Sequence, residues 1–181
     1  MPSLTHTFDP VWDENSRILI LGTFPSMKSR ENQFYYGHPQ NRFWKVTAAL
    51  AAGAKQEGTI KISQTKDEAI KIPQTIEEKK AMLLESRIAL WDVIASCEIE
   101  GSSDSSIRNV VPNDIRGLLE RSNIQAVFCN GGKAYELYVK YCEKQGGVKA
   151  VKLPSTSPAN ASWSLERLKE SWREAVSEFL V

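Results

Sequence analysis

Three short segments of the 181-residue chain concentrate the side chains that could bind or react. The longest, GTFPSMKSRENQFYYGHPQNRFW over residues 22–44, opens with a glycine and a proline and carries two adjacent tyrosines. Following an apolar run, such an opening holds the backbone in a tight turn whose amides can face a ligand. Tyr35 and Tyr36 supply flat aromatic faces. An extruded nucleobase is a fitting partner for them, read by stacking and by hydrogen bonds to its edge. The same rings could equally cover the end of a sheet as local core. His38 could exchange a proton near neutral pH or serve as a hydrogen-bonded structural imidazole, since no carboxylate stands beside it in sequence. Asn41 could offer its amide to a ligand, or cap the helix that the pattern RFWKVTAALAA predicts.

The second segment, LPSTSPANA over residues 153–161, packs Ser155, Thr156 and Ser157 between two prolines. A rigid loop of small donors can hold phosphate oxygens and approach a nucleic-acid groove closely, or it can be an ordinary strand-to-helix connection. The third, CNGGKAYELY over residues 129–138, places Gly131 and Gly132 at a predicted strand-to-helix turn with Lys133 beside them. That pattern suits an anion at a helix N-terminus. Walker spacing is absent, which excludes a nucleotide-triphosphatase phosphate loop.

These segments need a scaffold, and the rest of the chain predicts one. Apolar runs at 17–22 (RILILG), 87–94 (RIALWDVI), 124–130 (IQAVFCN) and 148–153 (VKAVKL) read as buried strands. Helical spacing follows Asn41, and helices are expected over 75–85, 113–121, 133–143 and 164–180. The first of these four opens on Thr75 and Glu78 as a capping box. Residues 23–40 read as one long loop. Residues 53–73, with the near-repeat IKISQT and IKIPQT, read as a surface excursion. Strands alternating with helices predict a single α/β domain: a three-layer α/β/α sandwich on a central, mainly parallel four-stranded sheet. Ligands of such folds gather beyond the carboxyl ends of the strands, where the three segments would meet.

Composition narrows the chemistry. Apolar residues at 41% and charged residues at 25% are those of an ordinary globular protein. No apolar run approaches the roughly 18–20 residues of a membrane span. The opening MPSLTHTFDPVWDEN lacks a basic stretch leading into an apolar one, so a cytoplasmic protein is expected. Cys97, Cys129 and Cys142 stand far apart, and His6 and His38 are the only histidines. No metal is therefore expected. Net charge is +1, but Lys28, Arg30, Arg42 and Lys45 cluster near a single Glu31. Such a local basic stretch can meet phosphates or simply be solvated.

Taken together, LILGTFPSMKSRE at Leu19, FYYGHPQNRFW at Phe34, LWDVIASCE at Leu90, DSSIRN at Asp104 and LPSTSPANA at Leu153 resemble the uracil-DNA glycosylase superfamily. The resemblance is strongest to the hypoxanthine (deoxyinosine) and the mismatch-specific uracil/thymine DNA glycosylases. It implies a monofunctional hydrolase that flips a deaminated base out of double-stranded DNA and attacks the anomeric carbon with water. No cofactor or membrane is implied, and a monomer is expected.

Residue by residue, Gly22, Thr23, Phe24 and Ser26 match the first motif, with the amides near Thr23 and Phe24 suited to a base oxygen. Many relatives carry Asn or Asp where Phe24 stands, so the resemblance moves the water-positioning role elsewhere, to Asn41 first and to Asn109, beside Ser105 and Ser106, second. Tyr36 matches the ring that stacks on the flipped base, and His38 joins the base-binding set. Ser26, Lys28, Lys133, Ser155, Thr156 and Ser157 are the implied DNA contacts. Pro158 and Ala159 stand where relatives often present a Leu or Arg wedge. Two other readings stay open: an inactive binder of damaged DNA with the same fold, and a hydrolase of free nucleosides.

Overall fold

A computed structural model describes residues 3–57, 70–101, 103–145 and 147–180. Strand β2 (Ile18–Gly22) is buried along its whole length and lies between β3 (Ile88–Asp92) and β6 (Ala126–Asn130), parallel to both. Strand β7 (Ala150–Leu153) completes a four-stranded parallel sheet in the order β3-β2-β6-β7. Successive side chains point to opposite faces, and each face has its own core. Ile18, Ile20, Leu90 and Phe128 pack with Leu50, Leu83 and Trp172. These come from α2 (Phe43–Glu57), α3 (Ile76–Glu85) and α6 (Leu165–Val176). Leu19, Leu21, Ala89 and Val127 pack instead with Leu118, Leu137 and Tyr138, from α4 (Ile115–Glu120) and α5 (Gly132–Tyr141). The expected three-layer α/β/α sandwich is the fold.

A second sheet was not expected. It is antiparallel, in the order β1-β4-β5, with β1 at Ser3–Thr5, β4 at Ile94–Glu98 and β5 at Arg108–Pro112. The run expected as one strand over 87–94 divides at Val93. The Val93 amide donates to Gly22 O at 2.9 Å, while Asn113 donates from its backbone to Val93 O and from Nδ2 to the carbonyls of Asp92 and Ile94. Apolar character continues across the bend, so the division is imposed by these distant partners.

Within the expected loop 23–40, residues Met27–Asn32 form a short helix, α1, capped by Ser26 Oγ accepting from the Ser29 amide at 3.2 Å. Five polar residues and one exposed methionine give it no apolar period to read. Of the excursion expected over 53–73, the two ends belong to the fold: α2 runs on to Glu57, Ile72 packs on the core and Pro73 is buried. Residues 58–69 lie outside the described ones. The capping box at Thr75 forms as expected, with Glu78 reaching back to the Thr75 amide.

Candidate active site

A pocket of about 320 Å³ opens beyond the carboxyl ends of the parallel strands. Gly22, Asp92 and Asn130, the last residues of β2, β3 and β6, form its floor, and the loop after Leu153 forms one wall. Volume at the low end of the small-ligand range suits one ligand of base or nucleoside size.

Glycine is required at position 22. A Cβ there would lie 2.5 Å from Asp92 Oδ1 and 2.7 Å from the Tyr36 hydroxyl, filling the floor. Asp92 is only 4% exposed. Its Oδ2 accepts from His6 Nε2 at 2.8 Å, so that nitrogen carries a proton, and the pair is ionic whenever the imidazole is protonated. His6 is itself wedged among Phe8, Phe24 and Tyr35.

Tyr36 adopts a left-handed backbone (φ 50°), uncommon for an aromatic residue and costly unless its surroundings enforce it. One ring face stacks on Phe43 at 4.0 Å, and its hydroxyl accepts from Asn130 Nδ2 at 3.1 Å. Burial first, and the Asp92 charge second, push its pKa far above the usual phenol value, so it stays a neutral donor.

Asn130 ties three loops together. Its Nδ2 also donates to Thr156 Oγ1 at 3.0 Å, and its Oδ1 accepts from the Thr156 amide at 3.0 Å. The Thr156 hydroxyl then donates to Asn41 Oδ1 at 2.8 Å, and the Phe43 amide donates to that same oxygen at 2.9 Å. Both lone pairs of Asn41 Oδ1 are thus taken. Because an amide N–H can only donate, the orientation of Asn41 is fixed, leaving Nδ2 as the group it can offer a ligand. The expected alternatives for Asn41, helix capping and presentation of an amide, are compatible: Oδ1 serves the first and Nδ2 remains for the second.

Arg42 sets the wall after Leu153. Its guanidinium donates to the carbonyls of Ser157 at 2.9 Å and Asn160 at 3.1 Å, and also to Trp163 O, while its amide donates to Thr156 O at 3.1 Å. Ser155 and Ser157 use their hydroxyls as acceptors for the amides of Ser157 and Ala159. They therefore shape the loop, and each hydroxyl proton remains to be given outward.

The structure brings Gly22, Thr23, Phe24, Ser26, Tyr36, His38, Asn41, Ser155, Thr156 and Ser157 to the pocket. It does not bring Asn109 there. Asn109 lies on β5 with φ 52°, and its amide donates to the Glu98 carboxylate on the surface. Lys28, exposed and paired with Glu31 at 3.6 Å, and Lys133, paired with Glu136 at 3.9 Å, stand outside the lining. His38 is exposed, its Nδ1 accepting from the Gln40 amide at 3.1 Å.

The sequence did not single out Asp92, Asp104 or Asn130, and it offered Arg42 only as part of a basic stretch, whereas its guanidinium clamps the loop after Leu153. Asn130 had a usable signal, since it ends a predicted strand on the side where ligands bind, whereas Asp92 ends a strand only because the expected run 87–94 divides after it. Asp104 had a weaker one, lying in a quoted motif whose asparagine drew attention instead. Burial pushes the Cys129 thiol up to about 12 and Cys142 up to about 11, so both are inert. Among the described residues no group of three or more His, Cys, Asp or Glu could hold a metal ion.

Residues 10–179 match the family model of the uracil DNA glycosylase superfamily. A Methanosarcina acetivorans protein named hypoxanthine DNA glycosylase is 38% identical over 170 residues, covering 93% of this chain and 95% of that protein. One of the same name from Methanosarcina barkeri is 33% identical over 169 residues, with the same coverage. A similar fold is seen in the solution NMR structure of a Methanosarcina acetivorans protein named for uracil DNA glycosylase. The TM-score is 0.70 and the identity 34%, covering 95% of this chain and 96% of that one. The chain belongs to the uracil DNA glycosylase superfamily.

Proposed function

We propose that this protein releases a deaminated base, hypoxanthine first and uracil as a weaker substrate, from double-stranded DNA by hydrolysing the N-glycosidic bond. The observation that carries the reading is the pocket itself. It is base-sized, floored by polar groups at the strand ends, and flanked by a fixed amide from Asn41. Relatives at 33–38% identity over nearly the whole chain carry the name hypoxanthine DNA glycosylase, which supports that base over others.

A flipped base entering ring-first would lie over the floor, against the Tyr36 face that Phe43 leaves uncovered. Backbone amides near Thr23 and Phe24 would meet its carbonyl oxygen, with His38 at the rim. The hydroxyls of Ser155 and Ser157, with Lys28 and Lys133 further out, would hold the DNA backbone, whereas the expected contacts Thr156, buried with its hydroxyl spent on Asn41, and Ser26, spent on Ser29, shape the loops instead. Asn41 Nδ2 would donate to the attacking water and hold it in line with the anomeric carbon. A fixed donor of this kind lowers the barrier without having to reorganise during the reaction. A monomer acting within the cell is the simplest form consistent with this role.

The test is a set of labelled duplexes with one deoxyinosine, deoxyuridine, deoxyxanthosine or mispaired thymine, incubated with the protein and then treated with alkali. Cleavage at deoxyinosine is expected. Cleavage at deoxyuridine alone would move the substrate within the same class. Tight binding of every damaged duplex without cleavage would replace the enzyme by a damage-binding module.

A further inference from the structure

We infer that Asp104 is the carboxylate that takes the proton of the attacking water, supplying from a different loop what Phe24 does not supply from the first motif. The inference rests on the glycosylase reading above.

Hydrolysis needs an acceptor for one proton of the water, and few pocket groups can serve. Asn41 cannot, because both lone pairs of its Oδ1 are occupied. A neutral His38 whose Nδ1 accepts from Gln40 carries its proton on Nε2 and is a donor there. The phenols of Tyr35 and Tyr36 are held neutral by burial. Two carboxylates remain among the described lining residues, Asp92 and Asp104.

Their places differ. Asp92 is buried on the floor beside Gly22, with one oxygen bound to His6, at the depth a flipped base would occupy. Asp104 opens a single helical turn, Asp104–Ser106, in the excursion between β4 and β5, and it is exposed at the pocket's rim. A nucleotide that enters base-first leaves its anomeric carbon toward that rim. The turn is fixed from within: Ser106 Oγ donates to Ser103 O at 2.7 Å and accepts from the Glu100 amide at 2.8 Å. Lys133 of α5 and the Tyr36 phenol are the groups whose fields couple to Asp104; Arg30 of α1 reaches the same excursion at Gly101 O, Asp92 with its partner His6 lies on the floor, and His38 lines the pocket. Desolvation raises the Asp104 pKa and Lys133 opposes the rise. A carboxylate with a raised pKa is the better proton acceptor.

In the step, the water oxygen bonds to the anomeric carbon as the glycosidic bond breaks. Its proton passes to the Asp104 carboxylate, and the bonding pair leaves on the base nitrogen. The departing base gains a proton from solvent and Asp104 returns its own to solvent. Water and nucleotide thus become free base and abasic sugar.

The experiment is single-turnover cleavage of a deoxyinosine duplex by wild type, Asp104→Asn and Asp104→Glu across a pH series, with binding and thermal melting measured in parallel. Ionisation of Asp104 should give the wild type an acid limb, with the rate rising with pH through a midpoint above the usual aspartate range. Asp104→Asn should lose about 100-fold or more in rate, together with that limb, while binding and melting hold. Asp104→Glu should keep the limb. An Asp104→Asn protein that cleaves within about threefold of an active wild type (far short of a general base's contribution), or that slows while keeping the limb, would overturn this inference alone. A wild type inactive on deoxyinosine and deoxyuridine would overturn the glycosylase reading and this inference with it.

Discussion

The pocket has two walls built on opposite plans. One joins Asn41 and Arg42 to the loop after Leu153 through bonds that span 114 to 121 residues of sequence, and Thr156 at its centre is fully buried. The other, around Asp104, is held mainly by bonds within a few residues of itself, with one long-range bond from Arg30 to Gly101 O, and it faces solvent. A wall fixed by distant partners presents donors whose directions are set before any substrate arrives. A wall fixed locally leaves its carboxylate partly desolvated, which raises the Asp104 pKa without the full cost of burying an unpaired charge.

Breaking the rigid wall at the atom nearest the chemistry should have the largest effect. Asn41→Ala removes a preorganised donor, and the cleavage rate should fall by about 100- to 1,000-fold. Binding of an uncleaved deoxyinosine duplex should be largely kept, because the loss falls on the transition state. Single-turnover rates beside equilibrium binding would show the split, and equal losses in both would place Asn41 in binding instead.

Arg42→Ala should act one step behind, through the shape of the wall. It strands the carbonyls of Ser157, Asn160 and Trp163, and a destabilisation of about 2–4 kcal/mol is expected. A calorimetric melt would read it, and an unchanged melting temperature would mean that the clamp is dispensable. The smallest effect belongs to Asn109, which sits on neither wall. Asn109→Gly respects its left-handed backbone, so cleavage should stay within about twofold of wild type. A loss comparable to that of Asn41→Ala would restore Asn109 as a functional residue.

The same division between local and distant determinants governed what could be read from the sequence. The parallel sheet was legible because β2 is apolar on both faces, as a central strand covered by helices must be. The second sheet was not. β1 has three residues, β5 is largely exposed, and the break at Val93 depends on Asn113, some twenty residues on. Loops that follow strands could be assigned to the pocket, which is why Gly22, Tyr36, Asn41 and Thr156 were singled out. What each atom does there could not be read, since the orientation of Asn41 is decided by Thr156. Asp92 hid inside an apolar run as an apparent strand residue, and Asp104 reaches the rim only because the unforeseen second sheet carries it there.

The most direct test of the account is to treat a duplex bearing one deoxyinosine in heavy-oxygen water and identify both products by mass spectrometry before any alkali is added. The account predicts free hypoxanthine, an unbroken strand, and one heavy oxygen on the abasic sugar. Intact deoxyinosine, or a strand cut without alkali through a borohydride-trapped protein–DNA adduct, would contradict it.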